Sequence, residues 1–426
     1  MLGLAAITLF VLCAFVLIGL PIVVSLAASV LFFLAFSGGW ELALPQQTLS
    51  GVGDYILITL PLFILAGGIM NATGIADKLF DFGVALVGWL RGGLAHVDVV
   101  ASVMFGGMIG TSVADLAGSG SVTIPKLKAH GYPGPFAAAV TATSSGIGVL
   151  IPPSSPMILY SAVTGTSLGA LFLAGVVPGL LMASAMMITI SILARRNGWK
   201  AIGTFQWNEV LRTGKHAILP LGMPGLILFG LMFGIFTATE AGAFAVAYAL
   251  VLASVVYRTL TLTNLRRALV DACILTGEVL TVVGFSTALG WALSQAGVPA
   301  ALASGLETVF PFENTTLKIF ALLAIALVAG MVLDPLIPMI MPVLLPSLMV
   351  LDVDLVHFGV LIVTTVVIGQ VTPPVAIALL VAAKIGNEDV VQVTKANMPF
   401  LIALFLFLIL LTFFPVLSTA LPNLLN

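Results

Sequence analysis

Apolar residues run along the chain in long blocks, separated by short joints rich in glycine, proline and charge. A hydrocarbon core of about 30 Å takes about 20 helical residues to cross. Ten blocks come near that length: 2–19, 21–37, 54–72, 134–163, 168–194, 217–236, 238–257, 270–294, 357–384 and 398–421. Two further blocks, 94–128 and 317–350, are interrupted midway by Gly, Asp, Pro and Ser, so each is expected to fold into a re-entrant hairpin of two half-length helices. The segment 76–91, bracketed by Lys78 and Arg91, has an amphipathic period and is expected to lie along the interface as an arm helix; 298–310 is its counterpart.

Composition agrees with this pattern. Of 426 residues, 60% are hydrophobic and 8% charged, which excludes an ordinary soluble domain. The fold class expected is an all-α polytopic membrane protein. A net charge of -2 with no basic stripe argues against nucleic acid as a partner. The first 21 residues carry no positive n-region and no small-residue cleavage site, and are expected to remain as a span. Cys13 and Cys273 lie in apolar runs with no metal-binding or redox spacing and read as packing.

The chain repeats itself. Pro152 and Pro153 recur 221 residues later as Pro373 and Pro374, and the same offset carries Gly148 to Gly369, Pro125 to Pro346 and Pro178 to Pro399. Residues 1–200 form a first repeat, 201–216 a connector and 217–426 a second repeat, each with five crossings and one hairpin. An odd number of crossings per repeat requires the halves to be inverted in the membrane. Charge supports this independently. Arg195, Arg196, Lys200, Arg212 and Lys215 crowd the joint, and Arg258, Arg266 and Arg267 follow two crossings later, whereas 38–54 holds no Lys or Arg. The basic loops are expected to be cytoplasmic and both termini periplasmic.

At membrane depth, irregular backbone is tolerated only where it is buried in protein or lines a cavity. The breaks GIGVLIPPSSP and VIGQVTPPVAI must therefore line something. Proline removes amide donors and leaves upstream carbonyls without helical partners. Such carbonyls suit a small, hard monovalent cation. A single proline would read as a kink; doubled prolines at symmetric positions argue for sites. The first hairpin, FGGMIGTSVADLAGSGSVTIP, gathers Gly, Ser and Thr at its middle, and Asp115 and Asp334 are intramembrane carboxylates near the two tips. Each acid either meets substrate or ion, or caps the second arm of its hairpin.

The motifs GIGVLIPPSSPMILY, Val122–Pro125 at the end of the first hairpin, and GQVTPPVAIAL resemble the large membrane subunit of the tripartite ATP-independent periplasmic (TRAP) transporters, the DctM type, along essentially the whole chain. The resemblance implies a sodium-coupled elevator-type importer of an organic carboxylate in the bacterial or archaeal inner membrane. A small four-span membrane subunit and a periplasmic binding protein are the implied partners. Carried over residue by residue, one sodium site falls on Thr111, Ser112, Gly148, Ile151 and Pro153, and the other on Gly330, Gly369, Thr372 and Val375. Ser144, Ser145, Ser154, Asp115 and Asp334 are the candidates for the substrate cavity. Sodium is the only cofactor implied. The chain is not expected to be an enzyme: it has no HExxH or GxSxG, and its four His are widely separated. The rival reading is a divalent anion to sodium symporter, which would work without a binding protein.

Overall fold

The computed structural model describes residues 1–38, 42–110, 112–309, 315–331 and 335–425. The expected site residues Thr111 and Asp334 lie outside them. Every regular element described is helical. The helices follow as α1 (Leu2–Leu17), α2 (Ile22–Ser37), α3 (Ala43–Val52), α4 (Thr59–Ala72), α5 (Ile75–Val87), α6 (Gly93–Ile109), α7 (Ser112–Ala129), α8 (Gly134–Ser144), α9 (Ile147–Leu150), α10 (Ser155–Thr164) and α11 (Leu168–Asn197). The second half holds α12 (Trp207–Met232), α13 (Ala238–Val251), α14 (Leu262–Gln295), α15 (Val298–Val309), α16 (Thr315–Gly330), α17 (Ile337–Val350), α18 (Leu355–Gln370), α19 (Ile377–Gly386), α20 (Val390–Phe413) and α21 (Val416–Leu425). A 3-10 turn, Tyr55–Ile58, leads into α4, and a wider π turn, Leu252–Val256, ends α13.

Two helix pairs, α6–α7 and α16–α17, stand where the broken apolar blocks predict hairpins, α6 packing on α7, and both arm segments are helical as α5 and α15. Elsewhere the elements differ from expectation. The segment after α2 that holds no Lys or Arg contains α3, and α3 packs on α14, so it is more than a loop. The connector is shorter than 201–216, because α12 starts at Trp207 and carries its polar first turns out of the apolar block. The last block, 398–421, is split. Its helix begins earlier, at Val390, and ends at Phe413 before Pro415; α21 then turns back onto α11.

Among the described residues six helices are long and apolar enough to cross a membrane, and the bent pair α8–α9 plus α10 makes a seventh candidate. The other crossings expected, at 2–19, 21–37 and 357–384, fall on shorter apolar helices. Large apolar side chains nonetheless cover the outside: Phe10 is 73% exposed and Ile218 67%. A water-facing surface of that kind would be unstable, whereas hydrocarbon accepts it.

Two bodies of helices share the interior. In one, α4 packs against α13 and α14, with α3 and α2 also on α14. In the other, the broken helices α8 and α18 lie at the centre, and every residue from Phe136 to Ser144 and from His357 to Gln370 is buried. Around them stand α6, α7, α11, α16, α19 and α20. Hairpin 1 meets the first body through α6, which touches α4, α5 and α12.

Candidate ion and substrate site

The first break starts from its prolines. Pro152 and Pro153 have no N–H, so the carbonyls four residues upstream, at Gly148 and Val149, lose their helical donors. Ile151 turns extended at φ -90° and ψ 126°, and the peptide between the prolines is cis. Ser154 restarts the helix by accepting the Met157 N–H at 3.4 Å, and the α8–α9 and α10 axes differ by 44°. The tip of hairpin 1 closes over this break. Gly110, at φ 69°, accepts the Ser155 N–H at 3.1 Å, and a Cβ there would run into the Pro153 carbonyl. Ser112 and Ser145 share a hydrogen bond of 3.1 Å between their hydroxyls. Ser112, Gly148, Ile151 and Pro153 are thus in one neighbourhood.

The second break repeats the design with different cover. Pro373 leaves Gly369 as the carbonyl four residues upstream, and Pro373–Pro374 is again cis. Thr372, buried, donates its hydroxyl to Ile368 O at 2.5 Å and its N–H to Gly369 O at 3.1 Å. Donation fixes the hydroxyl proton on the helix and leaves the oxygen lone pairs free to face a cation. Val375 is half-buried, and Pro373 and Pro374 are exposed where Pro152 and Pro153 are buried.

Each break is held by a glycine pair. A Cβ on Gly148 would stand 2.8 Å from the Gly106 Cα of hairpin 1, and a Cβ on Gly369 would stand 2.9 Å from the carbonyl carbon and oxygen of Gly330 in hairpin 2. Only glycine lets two helix backbones approach so closely. Gly330, whose alignment is the hardest to read from the sequence, is therefore packed directly on Gly369.

The residues expected around the substrate divide differently. Ser144 donates to Asp98 Oδ2 at 3.0 Å, Ser145 donates to Ala142 O at 2.9 Å, and Ser154 serves as a helix cap. All three are buried in packing. Asp115, by contrast, borders a cavity of about 290 Å³ between hairpin 1 and α4–α5, with Asn71, Phe80, Phe105, Ser119 and Thr123 among its walls. Asp115 does not cap α7: neither carboxylate oxygen has a hydrogen-bond partner, although both are buried.

Three polar residues were not legible as site candidates. Asp98 lies near the start of the hairpin block, where a charge reads as a boundary. Asn71 ends α4 and reaches the cavity wall. Asn397, 1% exposed in α20, accepts the Thr143 hydroxyl at 2.5 Å and donates to Val371 O at 3.2 Å, tying the two broken helices together. An amide inside an apolar span was the available signal for it. A further tie runs at the base, where Lys128 donates to Gly386 O at 2.9 Å and pairs with Glu388 at 2.5 Å.

Comparison with known proteins agrees with this architecture. The chain is 35% identical to the sialic acid TRAP transporter large permease protein SiaM of Vibrio cholerae, over 95% of each chain. It is 35% identical to the C4-dicarboxylate TRAP transporter large permease protein DctM of the same organism, over 96% of this chain and 95% of the other. The 2,3-diketo-L-gulonate TRAP transporter large permease protein YiaN of Escherichia coli is 31% identical, over 93% and 94%. Among solved structures, the YdaH transporter of Alcanivorax borkumensis superposes with a TM-score of 0.58 over 87% of each chain at 13% identity, a likeness of fold. Residues 9–417 match the family described as tripartite ATP-independent periplasmic transporter, DctM component, and the chain belongs to that family.

Proposed function

We propose that this chain is the large membrane subunit of a TRAP transporter that imports an organic carboxylate driven by sodium. The observation that carries the reading is the pair of proline breaks, each packed glycine to glycine against an arm of its own hairpin. Two carbonyl-rich openings in the most buried helices have no use in a passive scaffold, and they supply oxygen ligands without fixed charge. Ser112, Gly148, Ile151 and Pro153, with Thr111, would hold one sodium ion; Gly330, Gly369, Thr372 and Val375 would hold the other. The halves 1–200 and 217–426 act as inverted repeats. Hairpins and broken helices form the moving body, and the α4–α13–α14 body stays fixed, with the cavity beside Asp115 at the boundary between them.

The partners proposed are a small four-span membrane subunit and a periplasmic binding protein that delivers the anion. Sialic acid, C4-dicarboxylates and diketogulonate, the solutes named for the relatives, are the first candidates. The test is uptake of each radiolabelled acid into vesicles holding the chain, the small subunit and the binding protein. Uptake is expected with an inward sodium gradient and without ATP. Full uptake with a proton gradient and no sodium would defeat the sodium assignment, and uptake without the binding protein would favour the divalent anion symporter reading. Both termini are proposed to be periplasmic: a reporter active only in the periplasm should work when fused at Gln46 and fail at Lys200, and the reverse result would undo the inversion.

A further inference from the structure

Hairpin 1 contains two carboxyl groups that the sodium sites do not use. Asp98 on α6 and Asp115 on α7 are each 1% exposed. Their surroundings differ. Asp98 accepts the Ser144 hydroxyl at 3.0 Å, one hydrogen-bond donor for its carboxyl. Asp115 has none: both oxygens are buried without a hydrogen-bond partner. Ser119, one turn away, spends its proton on the Asp115 backbone carbonyl at 2.7 Å, and Ser102 faces the carboxyl without closing a bond.

Among the described residues no cation pairs with Asp115. Asp98 is the one charged group that acts on it, and it repels. The hairpin's own His96, Lys126 and Lys128 do not reach either carboxyl; Lys126 lies 4.1 Å over the Phe80 ring and Lys128 pairs with Glu388. On the helices packed against the hairpin, Lys78 lies 3.4 Å over the Tyr257 ring and Arg212 pairs with Glu209. Asp81, Lys215, His216, Arg195, Arg196 and Lys384 act on neither acid. A carboxylate buried with no donor, no cation and a like charge nearby is relieved by taking a proton. Asp115 also has a route for one, because it borders the cavity between hairpin 1 and α4–α5.

We infer that Asp115 is a proton-binding site: its carboxyl holds a proton in this fold and exchanges it with water of the neighbouring cavity. Uptake turns one carboxylate into a carboxylic acid with a proton from water, and release returns it; no other bond changes. For transport the consequence rests on the function proposed above: the proton travels with hairpin 1.

The site is tested by infrared difference spectroscopy on the chain, purified with its small subunit in nanodiscs. The wild type is expected to show the C=O stretch of a protonated, buried carboxyl. The band should be lost in Asp115→Asn, kept in Asp98→Asn, and shifted in D₂O within the mixing time. A band unchanged in Asp115→Asn, or lost in Asp98→Asn alone, overturns the assignment, and a band indifferent to D₂O overturns the exchange. Should Asp115→Asn fail to fold, the D₂O shift of the wild type and the displaced band of Asp115→Glu decide the matter. In the vesicle assay, uptake by the wild type should remove protons from the outer medium and uptake by Asp115→Glu should do so with an altered pH profile. Sodium-driven uptake with no proton movement overturns the role in transport and leaves the proposed function standing. Absence of any uptake overturns that function and leaves the spectroscopy to judge the site.

Discussion

Replacing Gly369 by alanine adds one methyl group at the place where α18 meets hairpin 2. Its Cβ would stand 2.9 Å from the carbonyl carbon and oxygen of Gly330 and 3.3 Å from its Cα. All three are backbone atoms, so no side chain can swing aside. Ordinary carbon contacts lie at about 3.5–4.0 Å, so the helices must part by at least about 0.6 Å. Overpacking of this kind costs typically about 1–3 kcal/mol. If the close approach belongs to the ion-bound arrangement, the strain falls mainly on that state. The sodium concentration for half-maximal uptake should then rise about 5- to 150-fold, the range that 1–3 kcal/mol of coupling spans. The assay is the vesicle uptake described above, over a sodium series, beside Gly225→Ala. Gly225 lies exposed in α12 with nothing within 4 Å of the added methyl, so alanine there should leave sodium dependence alone and stabilise the helix by up to about 1 kcal/mol. A well-folded Gly369→Ala protein with the sodium dependence of Gly225→Ala would refute the argument that this contact shapes an ion site.

Thr372→Val should raise the sodium requirement strongly while Thr364→Val does not. Both hydroxyls donate to the carbonyl four residues upstream, at 2.5 and 2.8 Å, so the lost hydrogen bond is common to both and a difference reports a missing oxygen ligand; equal effects would remove Thr372 from the site. Asn397→Ala should lower stability by about 1–3 kcal/mol, because it strands the Thr143 hydroxyl and the Val371 carbonyl in the interior. Thermal unfolding of the purified complex measures this, and an unchanged midpoint would mean that water takes over both bonds.

The sequence by itself determined the elements whose cause is local. Hydrophobic runs of membrane length and the glycine, serine and proline interruptions suffice to predict that each broken block splits into two helices, α6 and α7, α16 and α17, because helix formation in lipid depends on apolar length and on where backbone donors are missing. The doubled prolines likewise mark Gly148 and Gly369 through the fixed four-residue reach of a helical hydrogen bond. The extra helix α3, the early start of α12 and the split between α20 and α21 were not legible. Their ends are set by partners on α14 and α11 rather than by hydropathy. Only the tertiary structure decided which glycines face which: Gly106 carries no signal distinguishing it from the other glycines of its hairpin, and Gly330, the one glycine of 317–350, does not by itself name Gly369 as its neighbour. It alone separated two acids of one hairpin as well. Asp98 and Asp115 are the same residue type in similar apolar stretches, and what differs is the donor that another helix brings: the Ser144 hydroxyl of α8 to Asp98, and no hydrogen bond to the Asp115 carboxyl. That difference arises from contacts across tens of residues, between α6, α7 and α8, which no local pattern along the chain encodes.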